Sequence, residues 1–583
     1  MSSESISRAS DENSSSSSTS TRCVDSHGSV STEPDSAADS LNSLIQGNAI
    51  DNVECADSCL KVECSLANQC CGDDLNSSSK LKQRKSICCN PIGQCVWGVL
   101  LITVAISGFI FTPLDCMLWE KLNMRPGLPP YEWWADPPDE VRLRVYVFNV
   151  TNHERFMMGL DEKLNVQEIG PIVYLEKLLH TNIVFNDNNT LTYTATRYPI
   201  FLPEENSIDL NTTLIIPNMA LLGMSSYLHD ASFLVRTGFR LLASSHSSQF
   251  FIKRTVYEYL WDYREPLLDT SRNLVPGLVP VTNLGVLSRI YSDFTDEITV
   301  TIGPQWGHKR FFQIDKFRGE SQLPGYKYDE CPDRIVGSTE GVMYHQRLTK
   351  QDVLLYWRKT VCKLMPLYFD REIKLDEVLL YRYNLSENVF SRIVNSTDCY
   401  DTQPTLPAGL SDASKCYFNF PIVVSYPHFY TGEPTNNYVT GYQPDRYKHN
   451  SYAIVEPLTG TPFHSVARMQ SNLRIHDLSG FYDDYRKFSN LVLPLFWAEY
   501  NQKGLPSKIQ ATIYFMTVVL PPLSIVVLVL MLYLGCHLLL KLIYVHQLRN
   551  HSLISVLRVK SKNVNNLAKN KLFSYETENF IKN

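Results

Sequence analysis

Two stretches of this chain are apolar without interruption by charge. Residues 513–540 contain no Asp, Glu, Lys or Arg over twenty-eight positions and lie between Lys508 and Lys541. Residues 92–114 form a second such run, preceded by Lys80, Lys82, Arg84 and Lys85. A buried core helix is the alternative reading of an apolar run. Uncharged runs above about eighteen residues are long enough to cross a bilayer as helices. The expected spans are residues 92–114 and 509–540, and Pro521 and Pro522 are expected to kink the second.

Between the runs the period changes. Val141, Leu143, Val145 and Val147 alternate with Arg142, Arg144, Tyr146 and Phe148, the period-two pattern of a half-buried strand. Residues 181–185 and 190–195 flank Asn186-Asp187-Asn188-Asn189 and predict a hairpin. Residues 298–302 are β-branched. Between Pro217 and Pro266 the apolar residues (Leu234, Leu241, Leu242, Phe250, Phe251, Tyr257, Leu260, Trp261) recur at helical spacings. Short strands separated by Pro and Gly turns return from Asp376 to Gly480. The pattern predicts an α+β domain with a helical insertion.

Charge sets the expected topology. The four basic residues before the first span, and seven Lys or Arg with no acid over residues 541–575, mark cytosolic flanks. Both termini are therefore expected inside, with residues 115–508 outside. No cleavable leader is expected, because the first apolar run begins only at residue 92. Cysteine placement agrees: nine of fifteen lie in or before the first span, and Cys331, Cys362, Cys399 and Cys416 lie well within the loop, where they read as two disulfides of open connectivity. Five sequons, at Asn149, Asn188, Asn211, Asn384 and Asn395, fall in the same loop. Residues 1–91 form a Ser- and Cys-rich tail, with thirteen acidic and three basic residues up to position 79, a composition that cannot build a core. Cys55, Cys59, Cys64 and Cys70 lack the paired spacing of a zinc site, so no metal is expected. Cys88, Cys89, Cys95 and Cys536 sit at membrane edges beside basic residues, the setting of S-palmitoylation, with unmodified interfacial cysteine as the alternative.

Several segments, in order, resemble the class B scavenger receptors, the family of fatty acid translocase, lysosomal integral membrane protein type 2 and insect sensory neuron membrane proteins. They are Val145-Tyr-Val-Phe-Asn-Val-Thr-Asn152, Val166-Gln-Glu-Ile-Gly-Pro-Ile-Val-Tyr174, Ile216-Pro-Asn218 and Arg254-Thr-Val-Tyr-Glu-Tyr-Leu-Trp-Asp-Tyr-Arg-Glu-Pro266. Pro427-His-Phe429, Glu456-Pro-Leu-Thr-Gly460 and Arg468-Met-Gln-Ser-Asn472 follow. The resemblance implies a large antiparallel β-barrel-like ectodomain with a helical bundle at its apex, matched by residues 218–261. It implies a cavity conducting lipid toward the bilayer, and binding of lipids, fatty acids, lipoproteins or other anionic particles at the apex. Arg236, Arg240, His246, Lys253 and Arg254 become the candidate capture residues, since exposed cations attract anionic particles; a solvated helix face is the plain alternative. The resemblance also implies the pairs Cys331–Cys399 and Cys362–Cys416. Three departures stand out: Ser244-Ser-His-Ser-Ser-Gln249 where lipid-binding members carry lysines, a missing third disulfide, and the long amino-terminal tail.

The leading function is a plasma-membrane scavenger receptor that binds lipid-bearing ligands and passes lipid to the bilayer. It needs no cofactor and engages no nucleic acid, and self-association is left open. The alternative is a sorting receptor for a luminal protein in endosomes or lysosomes. Against that, Leu553-Ile554 lacks upstream acids and Tyr575-Glu-Thr-Glu lacks a terminal bulky residue. An ectoenzyme is not expected. There is no G-x-S-x-G, H-E-x-x-H or P-loop pattern, Asp483-Asp484 reads as solvated surface, and His428 as structural.

Overall fold

The alternation at the start of the loop forms a strand at the middle of a large sheet, burying Leu143, Val145 and Val147. The computed structural model describes residues 91–580 except 139–140, 278, 328–329, 392–398, 403–404 and 433–438. The tail to residue 90, with Cys88 and Cys89, and the Asn395 sequon lie outside the described residues.

The strands in chain order are β1 (Val141–Val150), β2 (Leu164–Phe185), β3 (Thr190–Phe201), β4 (Thr213–Pro217), β5 (Phe251–Thr255), β6 (Thr295–Thr301), β7 (Ile314–Phe317) and β8 (Leu354–Arg358). They continue with β9 (Lys363–Leu375), β10 (Val378–Leu385), β11 (Ser411–Asp412), β12 (Ile422–Ser425), β13 (Val439–Thr440), β14 (Tyr452–Glu456), β15 (Thr461–Arg474) and β16 (Val492–Gln502). Fourteen belong to one sheet with the path β7-β6-β3-β2-β1-β16-β15-β14-β10-β9-β8, antiparallel at every step. β2 and β3 are the hairpin read from the sequence, in register from Tyr174–Phe201 to Phe185–Leu191. β4 and β5 make a separate ribbon.

The expected barrel is not closed strand to strand: among the described residues no ladder joins the outermost strands β7 and β8. Residues 337–339 span the gap instead. Gly337 N donates to Ile314 O at 2.9 Å and Ile314 N to Ser338 O at 2.8 Å. Thr339 N donates to Leu355 O and its carbonyl accepts from Trp357 N, both at 2.8 Å. The edge amides are thereby satisfied by a connecting segment, which removes an exposed edge without a regular strand.

Residues 218–261 hold helices Met219–Tyr227, Phe233–Ser245 and Val256–Trp261. Asn218 caps the first by accepting from Leu221 N, and Thr255 with Glu258 forms a capping box on the third. Phe251 is not helical as its spacing suggested. It belongs to β5, which pairs with β4 across Pro217–Phe251. The helices adjoin the end of β1 where Asn149 Oδ1 accepts from Ile215 N at 2.8 Å. At the opposite end of β1, Val141 pairs with Gln502, just before helix Ser507–Tyr514.

Two helices at the chain ends have the length and apolarity to cross a membrane, Pro91–Ile110 and the helical stretch Ser507–Asn570. The first stops short of residue 114. Thr112 caps a new helix, Pro113–Lys121, by accepting from Asp115 N. In the second, a π-helical turn at Phe515–Val519 immediately precedes Pro521 and Pro522. Prolines cannot donate to the turn before them, and a wide turn accommodates the lost bonds. The two helices touch where both carry glycine. A Cβ on Gly535 would sit 2.9 Å from Gly98 O, closer than packed helices with side chains allow.

Candidate functional site

The inner face of the sheet encloses a cavity of about 200 Å³. Met365, Leu367 and Leu385 on β9 and β10 line one wall, and Ala467 and Met469 on β15 another. At one end the lining consists of Trp133, Pro137, Leu505 and Ile509. Trp133, Pro137 and Leu505 belong to the segments joining the sheet to the two membrane-length helices, and Ile509 to the first turn of the second. Ile509 and Ile513 pack there with Phe463, Val378 and Leu380, so the root of the second helix is fixed against the sheet. This end of the cavity is thus apolar and bounded by both helix roots.

The other end is polar. Glu176 on β2, Arg197 on β3, Glu340 and Arg358 on β8 all reach the cavity. Arg197 pairs with Glu340 at 2.6 Å and with Glu176 at 3.5 Å, and Arg358 with Glu176 at 3.4 Å. Tyr193 donates to Glu340 at 2.6 Å and Tyr291 to Glu176 at 2.5 Å. The Arg358 guanidinium lies 3.9 Å from the Tyr500 ring centroid. Burial opposes ionisation of Glu340, but Arg197, His180 and the hydrogen bond from Tyr193 together hold its carboxyl below the usual range. Burial, then the Glu176 charge, pushes the Tyr291 phenol well above its ordinary value. Two arginines and two glutamates thus form a buried, charge-balanced brace across β2, β3, β8 and the segment before β8.

A second cavity of about 120 Å³ lies beneath the helices, lined by Met219, Met224, Leu268, Leu284, Phe420 and Phe496 among others. On β15 Met469 lines the first cavity and Ser471 the second; on β16 Tyr500 lines the first and Phe496 the second. The two cavities therefore follow one another along β15 and β16.

The cations singled out in the sequence are dispersed. Arg236 and Arg240 share helix Phe233–Ser245, but Arg236 donates to His229 O at 3.0 Å and Arg240 stacks 3.3 Å from the Tyr482 centroid. His246 contacts Thr270 Oγ1 at 3.0 Å, and Arg254 pairs with Glu265 at 2.8 Å. Lys253 is exposed on β5. The solvent face of the helix is apolar, with Phe233, Leu234 and Leu241 exposed. The cavity charges were missed in the sequence because they come from distant strands; the available signal was a charge at an inward position, as Glu176 is after Val173-Tyr174-Leu175.

Disulfides join Cys331 to Cys399 and Cys362 to Cys416. Cys95 and Cys536 are free and exposed within the membrane-length helices. Asn188 and Asn211 are exposed, whereas Asn149 and Asn384 are half-buried and accept hydrogen bonds.

The sequence matches the CD36 family over residues 96–546, which takes in the sheet, both cavities and the roots of both helices. The chain belongs to the CD36 family. Within it, the chain is 25% identical to scavenger receptor class B member 1 of Bos taurus over 447 residues, 76% of this chain and 86% of that one. It is 26% identical to the Mus musculus protein of the same name over 435 residues, 74% and 84% of the two chains. It is also 26% identical to lysosome membrane protein 2 of Homo sapiens over 390 residues, 66% and 79%. Several of the segments that carry the CD36-family resemblance have structural roles here. Glu456 folds its own loop by accepting from Leu458 N, Thr459 N and Thr459 Oγ1. Lys121, after the first span, donates to Thr459 O at 2.6 Å, and burial draws its pKa down to about 8. That contact ties the first helix root to the sheet. His428 Nε2 lies 2.6 Å from Glu168, which also accepts from Trp497 Nε1 at 2.6 Å, a brace between β2, β16 and the Pro427–Phe429 turn.

Proposed function

We propose that this CD36-family chain is a cell-surface scavenger receptor that captures lipid-bearing ligands at the helices of residues 218–261 and passes lipid through the sheet lumen to the bilayer. The observation carrying this reading is the first cavity, apolar along its walls and ending among Trp133, Leu505 and Ile509 at the roots of both membrane-length helices. Burial of an acyl chain is worth roughly 0.8 kcal/mol per methylene, so a chain leaves the lumen readily only where the exit meets hydrocarbon. In this topology residues 92–114 and 509–540 span the membrane, and residues 1–91 and 541–583 face the cytosol. Residues 115–508 form a glycosylated ectodomain whose barrel-like sheet carries the helices at its apex, and Cys95 and Cys536 lie where acylation occurs. The dispersal of Arg236, Arg240, His246, Lys253 and Arg254 leaves capture to the exposed Phe233, Leu234 and Leu241 as much as to charge. No catalytic group is assigned.

Uptake of a fluorescent long-chain fatty acid and of labelled modified lipoprotein lipid, in cells expressing the chain, tests the reading. Ala467→Trp, which fills the lumen from β15, should leave surface level and particle binding intact while cutting lipid uptake by more than half. Undiminished uptake with Trp at this position would overturn transfer through the lumen. Arg236→Ala/Arg240→Ala/Lys253→Ala at matched surface level measures what charge contributes to capture.

A further inference from the structure

The helix that carries the second uncharged run does not stop with it. Helix Leu520–Phe580 continues past Lys541, where the run ends. Every residue from Ile543 to Asn570 is exposed, and no described residue covers them. Seven Lys or Arg and no acid fall within residues 541–575. Yet Leu553, Ile554, Leu557, Val564 and Leu567 are each more than half exposed in this same stretch. A helix that stayed in water would gain nothing from them.

Their spacing on the helix is ordered. Leu553, Ile554, Leu557, Val564 and Ala568 fall within one arc of about 100°. Arg558, Lys562 and Lys569 lie on one flank of that arc, and Arg549 and Lys560 on the other. An apolar stripe edged by cations on both sides suits a helix lying in a membrane interface, where long basic side chains reach up to the head groups. A second copy of the chain is a poorer occupant, because both flanks of the partner would carry the same charge. A groove on an acidic protein fits the same face, but the bilayer is already at hand. Leu553 lies only roughly 18 Å of helix past Lys541.

We propose that residues 551–570 lie flat on the anionic cytosolic leaflet, with Leu553, Leu557 and Val564 sunk toward the acyl chains and Arg558, Lys562 and Lys569 on the head groups. The helix is continuous through Asn550-His551-Ser552, but these are three weak helix formers in a row, and the bend that lays the stripe flat belongs there. The choice of anionic over zwitterionic lipid follows from charge. Cations with no neighbouring acid are drawn to a phosphatidylserine surface, whereas phosphatidylcholine has no net charge to offer them. This assignment rests on the topology proposed above, in which residues 541–583 face the cytosol.

The test uses the full-length protein, one copy per nanodisc, in phosphatidylcholine alone or in equal parts phosphatidylcholine and phosphatidylserine. Hydrogen exchange of residues 551–570, read by mass spectrometry, should slow at least about fivefold in the mixed discs, the contribution of a single basic side chain at an anionic surface. High salt should shrink the effect. Arg558→Gln/Lys562→Gln/Lys569→Gln should leave less than about twofold of slowing. Leu553→Ser/Leu557→Ser/Val564→Ser, which keeps every charge, should lose it as well. All six positions are exposed and outside the sheet, so the thermal midpoint should not move in either variant. Equal exchange in the two lipids, or slowing that survives the charge variant, would overturn the proposal. Slowing by calcium-loaded calmodulin but not by phosphatidylserine would make the segment a protein target and overturn it equally. Topology is read separately, by a carboxyl-terminal epitope that should stain only after cells are permeabilised. Staining of intact cells would overturn the cytosolic placement, whatever the discs show.

Discussion

Glu340→Gln isolates the brace at the polar end of the first cavity. Gln keeps the shape and can still accept from Tyr193, but it removes the charge 2.6 Å from Arg197. Arg197 is then left with Glu176 at 3.5 Å, which Arg358 already shares at 3.4 Å. Two buried guanidinium groups would compete for one carboxylate. Breaking a buried pair on one side costs roughly 3–5 kcal/mol, whereas replacing both partners is near neutral. Glu340→Gln should therefore lower the thermal midpoint of the detergent-solubilised full chain by several degrees, and adding Arg197→Met should restore most of the loss. Where unfolding is irreversible, unfolding rates at one temperature serve the same cycle. The pH dependence gives a second check. The Glu340 pKa is depressed in the fold from an ordinary 4.5, so its contribution is complete above that value and is lost as pH falls through the folded value. The gap between wild type and Glu340→Gln should stay constant from pH 7.4 to 5 and close only below 4.5. A single substitution costing under about 1 kcal/mol, or a double variant weaker than the single, would refute the brace.

Three further outcomes follow from other parts of the molecule. His449 and His476 are drawn down to about 4, by burial first and then by neighbouring positive groups, His428 for the former and Arg474 for the latter. Between pH 6.5 and about 4 the unfolded chain binds these protons and the fold does not, so stability should fall across that window. A thermal midpoint flat across it would contradict the burial argument, and His476→Asn should flatten the slope. Gly460 has φ +72°, and a Cβ there would lie 2.2 Å from Tyr344 O. Gly460→Ala should disrupt the loop that holds Lys121 and block maturation of the glycoprotein, which glycosidase sensitivity reads; normal surface delivery would count against it. Asn188→Gln and Asn211→Gln, at exposed turns, should each remove one glycan and speed migration on a gel. No change at either would sink the luminal placement of residues 115–508.

What could be read from the sequence is what local periodicity encodes. The β1 alternation and the β2–β3 hairpin are short-range patterns, and both are present. β16 was missed because its buried face is not an alternation. Val492-Leu-Pro-Leu-Phe-Trp-Ala-Glu-Tyr is buried at every position, being covered on both sides and paired to both β1 and β15, and a continuous apolar run carries no period. The lumen was less legible still. Glu176, Arg197, Glu340 and Arg358 come together only because β2, β3 and β8 curve toward one another, with residues 337–339 bridging the sheet edges beside Glu340. Exposed cations drew attention in the sequence because they cluster along it, yet folding commits Arg236, Arg240 and Arg254 to His229, Tyr482 and Glu265. In a cavity formed by strands from distant parts of the chain, three-dimensional pairing has to be known before the meaning of any one charge can be read.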